Sequence, residues 1–198
     1  MIYTSGVMDL FEYIAVLTSI IIGLGMAQLL RGVAGLIQQS LLSDKVSVYW
    51  VHLCWVTYMF FTLVFWWWWE FRLGNIEEWT FQIYFFVVFF AFVMFLLCAL
   101  LFPNNLAGFK DYKEYFYSIR VWLFGLLGLS YVLDLIDGLV KGYEYFMNLG
   151  PEYFIATLAT IILSVVAMLT SNERYHAAFA ISMLIYQVSW AVRLYGTL

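Results

Sequence analysis

The sequence has very little charge: 11% of its 198 residues are Asp, Glu, Lys or Arg, whereas a soluble domain carries about a quarter. So few charged side chains cannot cover a water-exposed surface, which excludes a soluble globular protein. Basic tracts are also missing and the formal net charge is −4, so nucleic acid is disfavoured as a partner. Because 65% of the residues are hydrophobic, the chain is predicted to lie in a membrane.

Cysteine and histidine are scarce, with two residues of each. Cys54 and Cys98 fall within apolar runs, where we interpret them as small buried hydrophobes rather than a disulfide. The sequence contains no Cys-x-x-Cys or His-Glu-x-x-His spacing, no glycine-rich phosphate loop and no nucleophile elbow. We therefore expect a protein without catalytic activity, although enzymatic activity stays open.

Long apolar runs are what the chain has in abundance. A membrane-spanning helix needs about 20 apolar residues, and continuous runs favour helices over the alternating pattern of a membrane β-barrel. The sequence therefore predicts an all-α membrane protein in which six transmembrane helices form one compact bundle over residues 1–198. The predicted spans are 8–30 with helical periodicity continuing to 39, then 46–69, 79–102, 119–140, 153–170 and 175–195.

The orientation follows from the distribution of Lys and Arg. Six of these residues lie near the connections after the first, third and fifth spans, and three lie at the opposite end. The positive-inside rule places the side with six in the cytoplasm. Both termini are therefore predicted on the non-cytoplasmic side of the plasma membrane, which would be the inner membrane in a bacterium.

Carboxylates collect at the predicted outer end. The candidate residues there are Asp9, Glu12, Glu70, Asp134, Asp137 and Arg193. Charge in hydrocarbon is costly and is seldom kept without a partner. One interpretation is a structural clamp in which Arg193 pairs with Asp134 or Asp137. The other is an acidic vestibule that concentrates cations or binds an ion through carboxylate oxygens.

Aromatic residues mark the same boundary. The run of four tryptophans at 66–69 ends the second span, where amphipathic rings form an interfacial belt. An aromatic box for a cation would need several converging rings. Because four consecutive helical positions point in four directions, at most two of these rings can face one site.

Polar and small residues recur every three to four positions on the last two spans. They are Thr160, Ser164, Ser182, Tyr186 and Ser189. Small side chains let membrane helices approach closely, so packing is favoured over the lining of a path.

The two histidines lie near the predicted cytoplasmic ends of their spans. His52 and His176 could therefore approach each other, and two helical imidazoles can ligate a b-type haem. A single interfacial histidine is nevertheless common, so no cofactor is expected and haem b stays an alternative.

Taken together, these features predict a small homo-oligomeric membrane protein of channel or transporter type with a cation site in the outer layer. The alternatives are a sensor or accessory subunit that docks a partner, and a redox subunit that binds haem or quinone. Expected partners are membrane lipids, further copies of the chain, and a protein at the cytoplasmic connection 103–118.

Overall fold

The computed structural model describes residues 10–41, 47–76, 78–103 and 108–195. Its helices are α1 (Leu10–Ser40), α2 (Trp50–Glu70), α3 (Phe81–Leu101), α4 (Tyr112–Val140), α5 (Tyr143–Asn148), α6 (Gly150–Leu169) and α7 (Glu173–Tyr195), and a 3-10 turn (Phe71–Asn75) follows α2. Apolar runs form helices because a helix satisfies its own backbone hydrogen bonds in lipid. The predicted all-helical fold is confirmed, and the continuation of α1 through residue 39 is confirmed with it.

Five helical segments in the described part of the chain are long and apolar enough to cross a membrane. They are Leu10–Gln39, Trp50–Asn75, Phe81–Leu101, Tyr112–Val140 and Gly150–Leu169. The predicted sixth span coincides with α7, which is helical over its whole length but is more polar than the other five.

The start of α4 differs from the prediction, because the helix begins at Tyr112 rather than at 119. The Asp111 side chain accepts a hydrogen bond from the Glu114 backbone N–H at 2.8 Å, and Glu114 Oε2 accepts one from the Lys110 N–H at 2.7 Å. Such reciprocal capping starts a helix despite the polar composition of the segment. The predicted partner surface at 103–118 is therefore partly helical, and its residues 104–107 lie outside the described residues.

The connection after α4 also contains a helix that the apolar pattern did not predict. Gly142 has a φ of 123°, which glycine adopts readily, and it turns the chain from α4 into α5. The Phe146 ring of α5 then packs on Gly138, where an added Cβ would lie 2.8 Å from the ring. As a result α5 lies against the end of α4.

The helices pack in pairs that do not all follow chain order. The main pairs are α4 with α6, α1 with α3, α3 with α4, and α2 with α7. In contrast, α6 and α7 contact each other only slightly, although residues 170–172 join them directly. Gly128 of α4 faces Ser164 of α6 in this arrangement, and an added Cβ would lie 3.5 Å from Ser164, an ordinary van der Waals distance.

Large aromatic side chains fill the core between these helices. The buried Trp55 ring makes edge-on contacts with Tyr58, Phe124 and Phe179 at centroid distances of 5.1 to 5.4 Å. Such contacts connect α2 to α4 and α7 and favour a fixed side-chain geometry. The core is therefore well packed in the half of the bundle near residues 55 and 179.

Candidate functional site

A cavity of about 650 Å³ lies between α2, α4, α6 and α7 at the end of the bundle where α2 and α4 finish. We call this the acidic end. The volume falls within the range of about 300–1,000 Å³ that is typical of small-molecule sites. Its charged lining residues are Arg72, Asp134, Asp137, Lys141 and Glu144.

Three charged side chains form a buried triad beside the cavity. Lys141 Nζ donates a hydrogen bond to Glu70 Oε1 at 2.9 Å and another to Asp137 Oδ2. The side chains of Lys141, Glu70 and Asp137 are 3%, 6% and 5% exposed. Burial lowers the pKa of Lys141, but the charges of Glu70 and Asp137 raise it more, so the pKa lies above its ordinary value. Lys141 is therefore an ammonium group that ties the end of α2 to the end of α4.

A third carboxylate lies one turn deeper on α4. Asp134 Oδ2 accepts a hydrogen bond from the Tyr153 hydroxyl of α6 at 2.7 Å. With all three carboxylates ionised, Glu70, Asp134 and Asp137 carry −3 and Lys141 carries +1, which gives this layer a formal charge of −2. In that ionisation state the layer favours a cation over an anion.

Several buried polar atoms at the cavity have no hydrogen-bond partner among the described residues. They are Asp137 Oδ1, Glu70 Oε2 and the Trp66 indole Nε1. Asp137 and Trp66 line the cavity and each is 4% exposed. Buried polar groups are normally hydrogen-bonded, so Asp137 Oδ1 and Trp66 Nε1, whose residues line the cavity, are the atoms that a bound ligand or water would satisfy.

Aromatic rings form much of the remaining wall. Trp66 and Trp69 from the run at 66–69 line the cavity, and Trp190 and Tyr186 of α7 line it as well. Two rings of the run thus face one site, in agreement with the limit set by helical geometry. Their electron-rich faces can bind a cation or an apolar ring.

Hydrogen bonds and one ion pair hold the helices around the opening. Gln187 Nε2 of α7 donates to Thr62 Oγ1 of α2 at 2.8 Å. Between α6 and α7, Thr160 contacts Met183 through its hydroxyl at 3.7 Å. Nearer the helix ends, Arg193 pairs with Glu152 through two hydrogen bonds. The part of the cavity between α6 and α7 lies between these two contacts.

The structural clamp predicted from the sequence contains Lys141 as its cation instead of Arg193. Arg193 donates to Glu152 at 2.6 and 2.8 Å in a solvent-exposed pair, whereas Lys141 pairs with Asp137. Lys141 follows Asp137 by four residues at the end of α4. Arg193 lies on α7, where it contacts Glu152 of α6. The i, i+4 spacing of Asp137 and Lys141 was the sequence signal that could have identified this pair.

The other predicted members of the acidic layer lie apart from the cavity. Glu12 is exposed on α1 and is not among the residues that line the cavity. The prediction for Asp9 lies outside the described residues. Glu70, Asp134 and Asp137 are therefore the predicted carboxylates that the structure brings together.

The predicted polar stripes divide between packing and the cavity. Thr160 and Ser164 are buried, and Tyr186 lines the cavity. Ser182 and Ser189 are instead exposed on α7, so they are not packed inside the chain. Sequence reasoning missed the polar pair of Gln187 and Thr62, which no regular spacing links.

Both histidines lie at the opposite end of the bundle and bond to helix ends. His52 Nε2 lies 2.5 Å from the Leu101 carbonyl at the end of α3, and His176 Nε2 lies 3.0 Å from the Thr170 carbonyl after α6. Carbonyls at a helix C-terminus have no partner within their own helix, so each imidazole N–H satisfies one of them. In the structure both histidines therefore cap the C-terminal end of a helix.

Comparisons with known proteins give no match to a family model, to a curated protein or to a solved structure. The chemistry of the cavity is therefore the basis for assigning a function. Its features are a negative formal charge, unpartnered buried polar atoms and an aromatic wall.

Proposed function

We propose that this chain is a membrane transport protein of channel or transporter type, with a cation site in the cavity at the acidic end. The observation that carries the proposal is the excess of carboxylates over cationic side chains in a buried layer. Glu70 and Asp137 share Lys141 as their partner cation, and Asp134 is hydrogen-bonded to the Tyr153 hydroxyl instead. Uncompensated charge at membrane depth is costly, and it is typical of ion and substrate pathways.

The topology proposed with this function has six crossings, of which α7 is the last. Its position beside α2 supports this, since a helix packed along a membrane-spanning partner shares its environment. The excess of Lys and Arg at the opposite end supports an acidic end that faces the outside, with both termini there. A cation would then approach the cavity from the non-cytoplasmic side.

Neutralising Asp134 provides the test. The protein is reconstituted into liposomes and the uptake of Na⁺, K⁺, Ca²⁺ and benzylguanidinium is measured for the wild type and for Asp134→Asn. We expect uptake of at least one cation by the wild type and a decrease of about tenfold in the variant, because a hydrogen bond to a charged group contributes roughly 1.5–3 kcal/mol. The unfolding midpoint of both proteins is measured alongside.

A matched control comes from the exposed carboxylate on α1. Glu12→Gln also removes one negative charge, but the residue does not line the cavity, so uptake is expected to stay unchanged. Equal uptake by the wild type and Asp134→Asn, with a lower unfolding midpoint for the variant, would contradict the proposal. That result would assign the acidic layer to stability alone.

A further inference from the structure

The chemistry of the cavity narrows the class of cation, and this inference rests on the proposed function. We infer that the cavity binds a monovalent organic cation that carries N–H donors on a small apolar body, such as a protonated amine or guanidine. A bare metal ion is the competing ligand. The two kinds of ligand need different partners among the groups that line the cavity.

Each of the three carboxylates has one oxygen that already accepts a hydrogen bond within the protein, which leaves few oxygens to coordinate a metal ion. Glu70 Oε1 and Asp137 Oδ2 both accept from Lys141, and Asp134 Oδ2 accepts from Tyr153. Throughout residues 10–41, 47–76, 78–103 and 108–195, no group of three or more His, Cys, Asp or Glu is placed to hold a metal ion. Calcium takes about six to eight oxygen ligands, so the remaining oxygens would not replace its hydration shell.

The unpartnered atoms suit a donor group instead. Asp137 Oδ1 is a buried acceptor on a residue that lines the cavity, and it has no hydrogen-bond partner among the described residues. A ligand N–H would satisfy this oxygen, whereas a quaternary ammonium has no hydrogen to donate. The ligand cation is therefore expected to carry N–H groups.

The walls suit an apolar body attached to that cation. Trp66 and Trp69 of α2 stand with Tyr186 and Trp190 of α7 around a volume of about 650 Å³. An inorganic ion would leave most of this volume to water, while a ring-sized group would contact the aromatic faces. An organic cation thus uses both parts of the cavity, the carboxylates and the rings.

Three benzyl compounds separate charge from hydrogen bonding. Benzylguanidinium has charge and N–H donors, benzylurea has the same shape and N–H donors without charge, and benzyltrimethylammonium has charge without N–H donors. Their binding to the full chain in phosphatidylcholine nanodiscs is measured by titration calorimetry, together with Ca²⁺. We expect benzylguanidinium to bind at least about tenfold more tightly than either analogue, because a charged hydrogen bond is lost in each.

Two tryptophan variants test whether the binding occurs in this cavity. Trp69→Leu removes a ring that lines the cavity, and Trp68→Leu removes its neighbour, which is 65% exposed and does not line it. We expect benzylguanidinium affinity to fall about fivefold or more in Trp69→Leu, since a cation–π contact contributes about 1 kcal/mol or more. Trp68→Leu should bind as the wild type does.

The source of the cation is tested by adding phosphatidylethanolamine to the nanodiscs. Competition with benzylguanidinium would assign the site to an amino headgroup, and no competition would assign it to a soluble amine; both outcomes support an N–H cation. Equal affinity for benzylguanidinium and benzylurea, or Ca²⁺ binding that Asp134→Asn abolishes, would overturn the inferred ligand class. Inorganic cation uptake that depends on Asp134 would then still support the proposed function.

Discussion

Replacing Lys141 by methionine should destabilise the protein strongly. Methionine keeps much of the apolar length of lysine, so packing changes little while the ammonium group is lost. The variant would leave Glu70 and Asp137 buried beside each other without their shared cation. Removing one partner of a buried ion pair typically costs roughly 3–5 kcal/mol.

The hydrogen bonds of the triad give a similar magnitude. Lys141 makes two charge-assisted hydrogen bonds with a side chain that is only 3% exposed, so water does not replace them. At roughly 1.5–3 kcal/mol each, the two bonds sum to roughly 3–6 kcal/mol. Both estimates therefore predict that Lys141→Met lowers the free energy of unfolding by roughly 3–5 kcal/mol.

The assay is an unfolding titration in mixed micelles with increasing SDS. A triple variant with Glu70→Gln, Asp137→Asn and Lys141→Met removes all three charges together, and we expect it to recover most of the loss. Lys113→Met is the matched control, because Lys113 pairs with Glu173 at 2.6 Å in an exposed position. The control should leave the unfolding midpoint nearly unchanged. Equal midpoints for Lys141→Met and Lys113→Met would refute the assignment of a buried, stabilising triad.

Three further predictions use the same unfolding titration. His52→Phe should cost roughly 1–3 kcal/mol, because it leaves the Leu101 carbonyl without its donor; a midpoint equal to that of the wild type would contradict the capping role. Gly32→Ala should lower the free energy of unfolding by roughly 1–3 kcal/mol, because its Cβ would overlap the Phe102 ring. Gly35→Ala has open space around it and should be neutral or slightly stabilising. Equal effects of the two variants would contradict the close contact between Gly32 and Phe102. Arg193→Gln should leave the midpoint unchanged, since its ion pair is exposed, and a large decrease would instead indicate that the pair holds α6 and α7 together.

The helices could be predicted from the sequence, because a long apolar segment in lipid must satisfy its own backbone hydrogen bonds and a helix does so. The start of α4 could not be predicted from hydropathy, since its first turns are polar. The signal there was local chemistry, the Asp111-x-x-Glu114 pattern that caps the helix.

The carboxylates of the site could be predicted from their depth, and the four-residue spacing of Asp137 and Lys141 was the local signal for their cation. Glu70 and Asp137 occur at the same end of the second and fourth spans, and alternating crossings place the ends of these two spans on one side of the membrane. Arg193 and Lys141 both occur there as well. The spacing favours Lys141 as the partner of Asp137, whereas the partner of Arg193 depends on how α7 is placed around the bundle, and Arg193 reaches Glu152.

The cavity could not be predicted, because it depends on which helices pack against each other. No regular spacing in the sequence indicates those pairs. A connection as short as residues 170–172 normally joins two helices that pack against each other. In the structure α6 packs on α4 instead, with Ser164 facing Gly128, and α7 packs on α2. The space left between α6 and α7 becomes part of the cavity.

The most direct test of the cation site is to locate a bound probe. A benzylguanidinium that carries a diazirine is photolysed with the protein in nanodiscs, and the labelled positions are mapped by mass spectrometry. If the probe binds in the cavity, we expect labels at Trp66, Trp69, Tyr186 and Trp190, and excess benzylguanidinium should prevent this labelling. Labels confined to the exposed face of α3, around Phe85, and insensitive to excess benzylguanidinium would contradict a cation site at the acidic end.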